Sequence, residues 1–333
     1  MPERAGASIL DRRLVFVTGK GGVGKTSVAA ALAELAARRG KRTLVCEMDA
    51  KGALADAFDT APLTFEPRGL GGGLSGMAMN TEDALAEYLR LFVRVPFIGK
   101  IGPLARTFDF VADAAPGVKE ILAIGKLCYE VRERHYDLVV VDAEASGHIV
   151  AQIGAPRVIR DLVQVGLVRD QTDWMLDILQ DPMTTGVVVV TTPEEMPVTE
   201  TIGLMGRLDR ETGVSPTMVI ANRVFPDRFG PGGHDLVEHL DQAEAVLVDA
   251  AGSGARAVIR AARIAEARRR VGAVHLERLA EASDDVPIVS VPELFTRAAG
   301  RRVVALVADV LDTALPLDDG DRDDGDRDAG DRG

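Results

Sequence analysis

Eight residues, Gly19-Lys20-Gly21-Gly22-Val23-Gly24-Lys25-Thr26, have the spacing G-x-x-x-x-G-K-[ST]. Glycines at these positions let backbone N–H groups curl around a phosphate without Cβ clashes. A helix behind such a loop points its positive N-terminal end at the anion. Lys25 has the reach to contact β and γ phosphates, and the Thr26 hydroxyl can ligate Mg²⁺. Two carboxylates complete the chemistry of nucleoside triphosphate hydrolysis. Asp142 ends the apolar run LVVVD, where a metal-holding carboxylate belongs; it would hold Mg²⁺ through a water. Asp49 follows the run TLVCE, placed to position or activate an attacking water. The nucleotide-binding candidates are Gly19, Lys20, Gly21, Gly22, Val23, Gly24, Lys25, Thr26 and Ser27, with Thr26 and Asp142 as metal-holding residues.

These side chains need a scaffold that brings distant segments to one edge. Strand-like runs recur at Leu14–Thr18, Thr43–Glu47, Leu74–Met79, Leu138–Asp142, Val187–Thr191, Thr217–Asn222 and Pro287–Ser290, with helical patterns between them. Several are continuously apolar, which suits strands buried on both faces. The alternation predicts an α/β fold with a doubly wound, mainly parallel sheet flanked by helices. No composition break divides Leu14 to Thr313, so one domain is expected over 14–313, after an N-terminal extension of residues 1–13 expected to be disordered. Two stretches do not fit simple βα units. Residues 83–134 read as a helical insertion with apolar residues on more than one face. They form either a client-binding groove or helices packed against the sheet. Leu236–Ala282 is a long helical run whose Arg268–Arg270 segment reads as a solvated face.

The chain has 333 residues and a net charge of −12, which argues against nucleic acid as a partner. Its tail, Asp318 to Gly333, holds eight Asp and three Arg. That repeat cannot bury enough surface to fold, so residues 314–333 are expected to form an acidic, disordered, solubilising tail. No apolar run approaches the ~18 residues of a membrane span, and the first residues lack a secretion signal. Cys46 and Cys128 are the only cysteines, which suggests a reducing cytoplasm.

Lys20 goes beyond a general phosphate loop. K-G-G-x-G-K-[ST] resembles the deviant Walker A signature of the MinD/ArsA superclass of dimeric ATPases. In that group the first lysine contacts phosphates in the facing subunit, which implies a catalytic role for Lys20 across a dimer. Within the superclass, the chain resembles the ArsA/GET-type ATPases, the arsenite-pump and tail-anchored-protein-targeting family, over roughly Leu14 to Leu311. MDAKGALADAF, from Met48, is similar to the family's switch I, D-P-A-H-x-L-x-D-A-F, and places Asp49 on its water-activating aspartate. DAEASGH, from Asp142, resembles switch II, D-T-A-P-T-G-H. PGVKEILAI resembles the P-G-x-x-E segment. ANRVFP resembles the segment whose asparagine reads adenine, here Asn222. SVPELF resembles the loop over the adenine base, with Pro292 and Leu294 as its contacts.

The departures are as specific as the matches. Switch I reads A-K-G-A where the family has P-A-H-N or similar, and switch II has Glu144-Ala145 in place of Ala-Pro. The helix matching the family's C-x-x-C zinc clasp has no cysteine, so a Cys₄ zinc site across a dimer is not formed. The resemblance implies a cytoplasmic dimeric switch ATPase using ATP and Mg²⁺. It would be a homodimer, or a heterodimer with a paralogous ATPase, acting on an unidentified client or membrane partner protein. A MinD/ParA-like positioning ATPase is one alternative, opposed by the acidic C-terminus. A regulatory nucleotide-binding subunit with weak hydrolysis is another, kept open by the altered switches.

Overall fold

The computed structural model describes residues 8–93, 117–163, 165–230, 237 and 239–315. The acidic tail beyond Leu315, and the part of the expected insertion between 94 and 116, lie outside them. So do residues 1–7 of the expected N-terminal extension. The rest of that extension packs against the fold, with Ile9 and Leu10 buried.

Among the described residues, eight strands form one sheet: β1 Leu14–Gly19, β2 Thr43–Glu47, β3 Arg68–Gly71, β4 Leu74–Ala78, β5 Leu138–Ala145, β6 Thr185–Thr191, β7 Met218–Val224 and β8 Ile288–Pro292. Their order is β3-β4-β2-β5-β1-β6-β7-β8. All neighbours are parallel except β3 and β4. The described helices are α1 Lys25–Arg38, α2 Ala53–Ala57, α3 Thr81–Tyr88, α4 Val118–Arg132, α5 Ser146–Leu162, α6 Leu167–Gln180, α7 Glu195–Thr212, α8 Leu240–Ala251, α9 Ala255–Ala282 and α10 Arg301–Ala314.

The period of two along a strand sorts its side chains to opposite faces. In β1, Val15 and Val17 join α1, α2 and α10 in one core layer. Leu14 and Phe16 point the other way, into a layer built on α4, α5, α6, α7 and α9. β5 and β6 repeat the division: Val140 and Val188 on the first side, Val139 and Val187 on the second. This two-sided burial explains the unbroken valine runs. Each fully buried Val or Leu contributes about 1.5–3 kcal/mol. The alanines of α1 let α10 approach closely; Ala29, Ala30, Ala33 and Ala36 are buried at that layer.

The Val118–Arg132 part of the expected insertion packs against the sheet. Ile124, Leu127, Cys128 and Val131 of α4 enter the second core layer. Its other apolar face, through Ile121 and Leu122, bounds a cavity of about 340 Å³ beneath α3 and α6. Both cysteines are buried and unpaired, and burial pushes both thiols up. Among the described residues, no helix is long and apolar enough to cross a membrane.

Candidate active site

The carboxyl ends of β1, β2, β5 and β7 deliver the chemical groups to one edge of the sheet. The loop after β1 lies where β1 meets β5 on one side and β6 on the other. That crevice is where doubly wound sheets bind ligands. Two glycines of the loop are fixed by close approaches, one of backbone and one of a side chain. A Cβ on Gly19 (φ +146°) would lie 2.1 Å from the Val190 carbonyl oxygen, and one on Gly24 (φ +96°) 2.3 Å from Asn222 Nδ2. Gly24 precedes α1, and no side chain caps that helix, so its first N–H groups face the loop.

Lys25 and Thr26 open α1. The Thr26 hydroxyl donates to Asp142 Oδ2 at 2.6 Å. Among the described residues, Asp142 Oδ1 is buried without a hydrogen-bond partner. Burial pushes the Asp142 carboxyl up to about 6, against the Thr26 hydroxyl bond and the charge of Lys25, which favour its ionised form. Burial likewise lowers the Lys25 ammonium, while Asp142 and Asp49 hold it up. A hydroxyl beside a carboxylate with one unused oxygen is a hard, all-oxygen donor pair. It fits Mg²⁺, which takes few protein ligands and fills its remaining positions with phosphate and water.

Asp142 does not end its strand, as its place in LVVVD suggested. β5 continues to Ala145, because Glu144 and Ala145 keep backbone donors that a proline would remove. The Thr18 hydroxyl donates to the Glu144 carbonyl at 3.1 Å, tying this extension to β1. The Glu144 carboxylate accepts from Gln152 Nε2 at 3.0 Å and lies 3.7 Å from His148.

Asp49 sits in the loop between β2 and α2. Met48 N–H donates to the Asp142 carbonyl at 3.1 Å, so the two acidic segments touch. Buried Glu47 accepts from Ala53 N–H at 2.9 Å and Leu54 N–H at 3.4 Å, which anchors α2 in place of a capping side chain. Asp49 is half exposed and paired with Lys51. Lys20 is paired with Glu200 of α7, and the other Glu200 oxygen accepts from Ser146 Oγ at 3.3 Å. Lys20 and Asp49 are therefore both held by ion pairs within the chain.

Asn222 is buried at the end of β7. Its Nδ2 donates to the Val23 carbonyl at 2.8 Å, and its Oδ1 accepts from Arg223 N–H at 3.0 Å. The side chain thus braces the phosphate loop. Pro292 ends β8, and Leu294 packs against the first core layer. Val23 is buried, and Gly21 and Gly22 leave open space above the loop. Ser27 follows Thr26 in the first turn of α1.

The fold adds Arg268 to residues of the ANRVFP segment. Arg223, Phe225 and Arg268 line a cavity of about 490 Å³ beside Asn222, at the ends of β6, β7 and β8. Phe225 packs edge-to-face on Phe295 with centroids 5.6 Å apart, and Arg268 lies over Phe225 at 5.6 Å. Arg268, in sequence part of a solvated run, is brought by the fold from α9 to the strand ends.

A sequence profile of the anion-transporting ATPases matches residues 12–175 and 167–248. The chain belongs to the anion-transporting ATPase family. It is similar to the ATPase BagA of Mycobacterium tuberculosis, 31% identical over 230 residues that cover 66% of this chain and 67% of that one. It is also similar to an ATPase ASNA1 homolog of Entamoeba dispar, 32% identical over 157 residues covering 45% of this chain and 48% of the other. The chain is therefore an ATPase of the anion-transporting family, on a mainly parallel sheet flanked by helices.

Proposed function

We propose that this chain is a Mg²⁺-dependent ATPase that works as a dimeric switch. The observation that carries the reading is the Thr26–Asp142 pair, with its unused buried oxygen, at the mouth of a loop that also presents Lys25. The phosphates lie against the N–H groups of Gly21 to Ser27, with Lys25 reaching the β and γ oxygens. Thr26 and, through a water, Asp142 would hold Mg²⁺, which would supply charge neutralisation for the phosphates. Asp49 orients a water at the γ-phosphorus and takes its proton. The new bond joins the water oxygen to phosphorus, and the bond to the bridging oxygen breaks, releasing ADP. The base lies at the ends of β7 and β8, beside Asn222, Pro292 and Leu294.

Lys20 acts across a dimer of two such chains, or of this chain with a paralogue, once it leaves Glu200. The switch segments at Asp49 and Asp142 then pass the nucleotide state to a client or membrane partner protein. The cytoplasm is the compartment this reading implies. The in-chain pairing of both Lys20 and Asp49 also favours a second reading, a regulatory subunit with low turnover until its partner binds. ATP turnover with Mg²⁺ at several protein concentrations, beside light scattering with and without nucleotide, tests the account. The switch reading expects turnover per chain to rise with concentration as an ATP-dependent dimer forms. Nucleotide binding with neither turnover nor dimer favours the regulatory subunit.

A further inference from the structure

Lys51 is the one chemically consequential change in switch I that the proposed mechanism leaves unused. It stands two residues after Asp49 in a loop closed at both ends. Glu47 holds the start of α2 through Ala53 and Leu54, and Met48 is bonded to the Asp142 carbonyl. Between these anchors the backbone turns twice through the left-handed region, at Ala50 (φ +45°) and Gly52 (φ +84°). Proline, locked near −65°, cannot adopt the Ala50 conformation. The double turn folds the Lys51 side chain back onto Asp49, where its ammonium pairs with Oδ2. The Lys51 charge also reaches the active-site Lys25.

A half-exposed carboxylate is a weak partner for an exposed ammonium, and such pairs contribute little. A phosphate carries more charge and three acceptor oxygens, so it competes well for the same donor. While Lys51 occupies Asp49 Oδ2, that oxygen is not open to a water.

We propose that Lys51 is a γ-phosphate-binding residue, stored on Asp49 without nucleotide and transferred to the terminal phosphate of ATP, which frees Asp49 for the attacking water. The inference rests on the proposed placement of the γ-phosphate beside Lys25. It makes switch I a cis reader of the third phosphate, in addition to any lysine from a partner. ADP, which lacks that phosphate, leaves Lys51 on Asp49.

The test is the preference for a non-hydrolysable β,γ-imido ATP analogue over ADP, each titrated with Mg²⁺ onto the full chain. In Lys51→Gln the preference falls about tenfold, as for loss of one charge-assisted phosphate contact, while ADP affinity changes less than about twofold. Lys51→Arg keeps the preference within about threefold of wild type. Lys51 is largely exposed, so neither variant disturbs packing. An unchanged preference in Lys51→Gln overturns the inference and leaves the ATPase reading intact. Wild-type protein that binds neither nucleotide overturns both.

Discussion

The Thr26 hydroxyl and the Asp142 carboxylate meet at 2.6 Å, and the second oxygen of that carboxylate is buried without a partner among the described residues. An unpaired buried carboxylate oxygen is expensive unless something binds it. Here the chain accepts that cost at the point where a hard cation would sit between a hydroxyl, a carboxylate and phosphate.

Asp142 therefore links stability to pH in a specific direction. Its folded value is raised, to about 6 from an ordinary 3.8, chiefly by burial. A raised group adds stability below its unfolded value and loses that contribution as pH rises through its folded value. At pH 8 the ionised Asp142 destabilises the nucleotide-free protein by about 3 kcal/mol. Asp142→Asn should melt several degrees above wild type at pH 8, and the difference should vanish near pH 4. Melting curves across that range check it; an equal melting point at pH 8 would show that no buried charge is being removed.

The same variant should lose metal-dependent function. Asp142→Asn is expected to reduce turnover at least a hundredfold and to abolish the stabilisation that Mg²⁺ with ATP gives wild type. Wild-type turnover in the variant would remove Asp142 from the metal site.

Asp49 and Lys20 separate chemistry from assembly. Asp49→Asn should slow hydrolysis about a hundredfold or more while nucleotide affinity stays within a few-fold. Lys20→Ala should impair the ATP-dependent dimer or turnover. Glu200→Ala, which releases Lys20 from its in-chain partner, should shift dimerisation to lower ATP concentrations. Light scattering at graded ATP reads both, and unchanged curves in both variants would end the role assigned to Lys20.

The tight setting of Gly19 gives a structural prediction. Gly19→Ala places a methyl 2.1 Å from the Val190 carbonyl and forces a strained φ. It should destabilise the fold by about 2–4 kcal/mol, measured by denaturant unfolding. Gly21→Ala, with nothing within 4 Å of its Cβ, should be far milder. A reversed ranking would contradict the loop geometry.

Much of this architecture was legible because its signals are local. The valine runs of β5 and β6 required burial on two faces, and the Gly-rich spacing after an apolar run required a loop between a strand and a helix. β3 escaped notice because Arg68–Gly71 is four residues of mostly exposed, Gly-rich edge with no apolar run. β5 ran past Asp142 because a strand is ended by lost partners, and Gly19 supplies one opposite Ala145. The contacts of Glu200 with Lys20 and of Asn222 with Val23 join residues 180 and 199 positions apart. No periodicity encodes such pairs. The Arg268–Phe225 pair was hidden for the same reason.

The most direct test of the central claim is calorimetric titration of ATP into the purified chain, with and without Mg²⁺, for wild type and Lys25→Ala. The account predicts saturable binding that tightens with Mg²⁺ in wild type and falls at least a hundredfold in Lys25→Ala. Equal ATP affinity in the two proteins, or none in wild type at millimolar nucleotide, would contradict it.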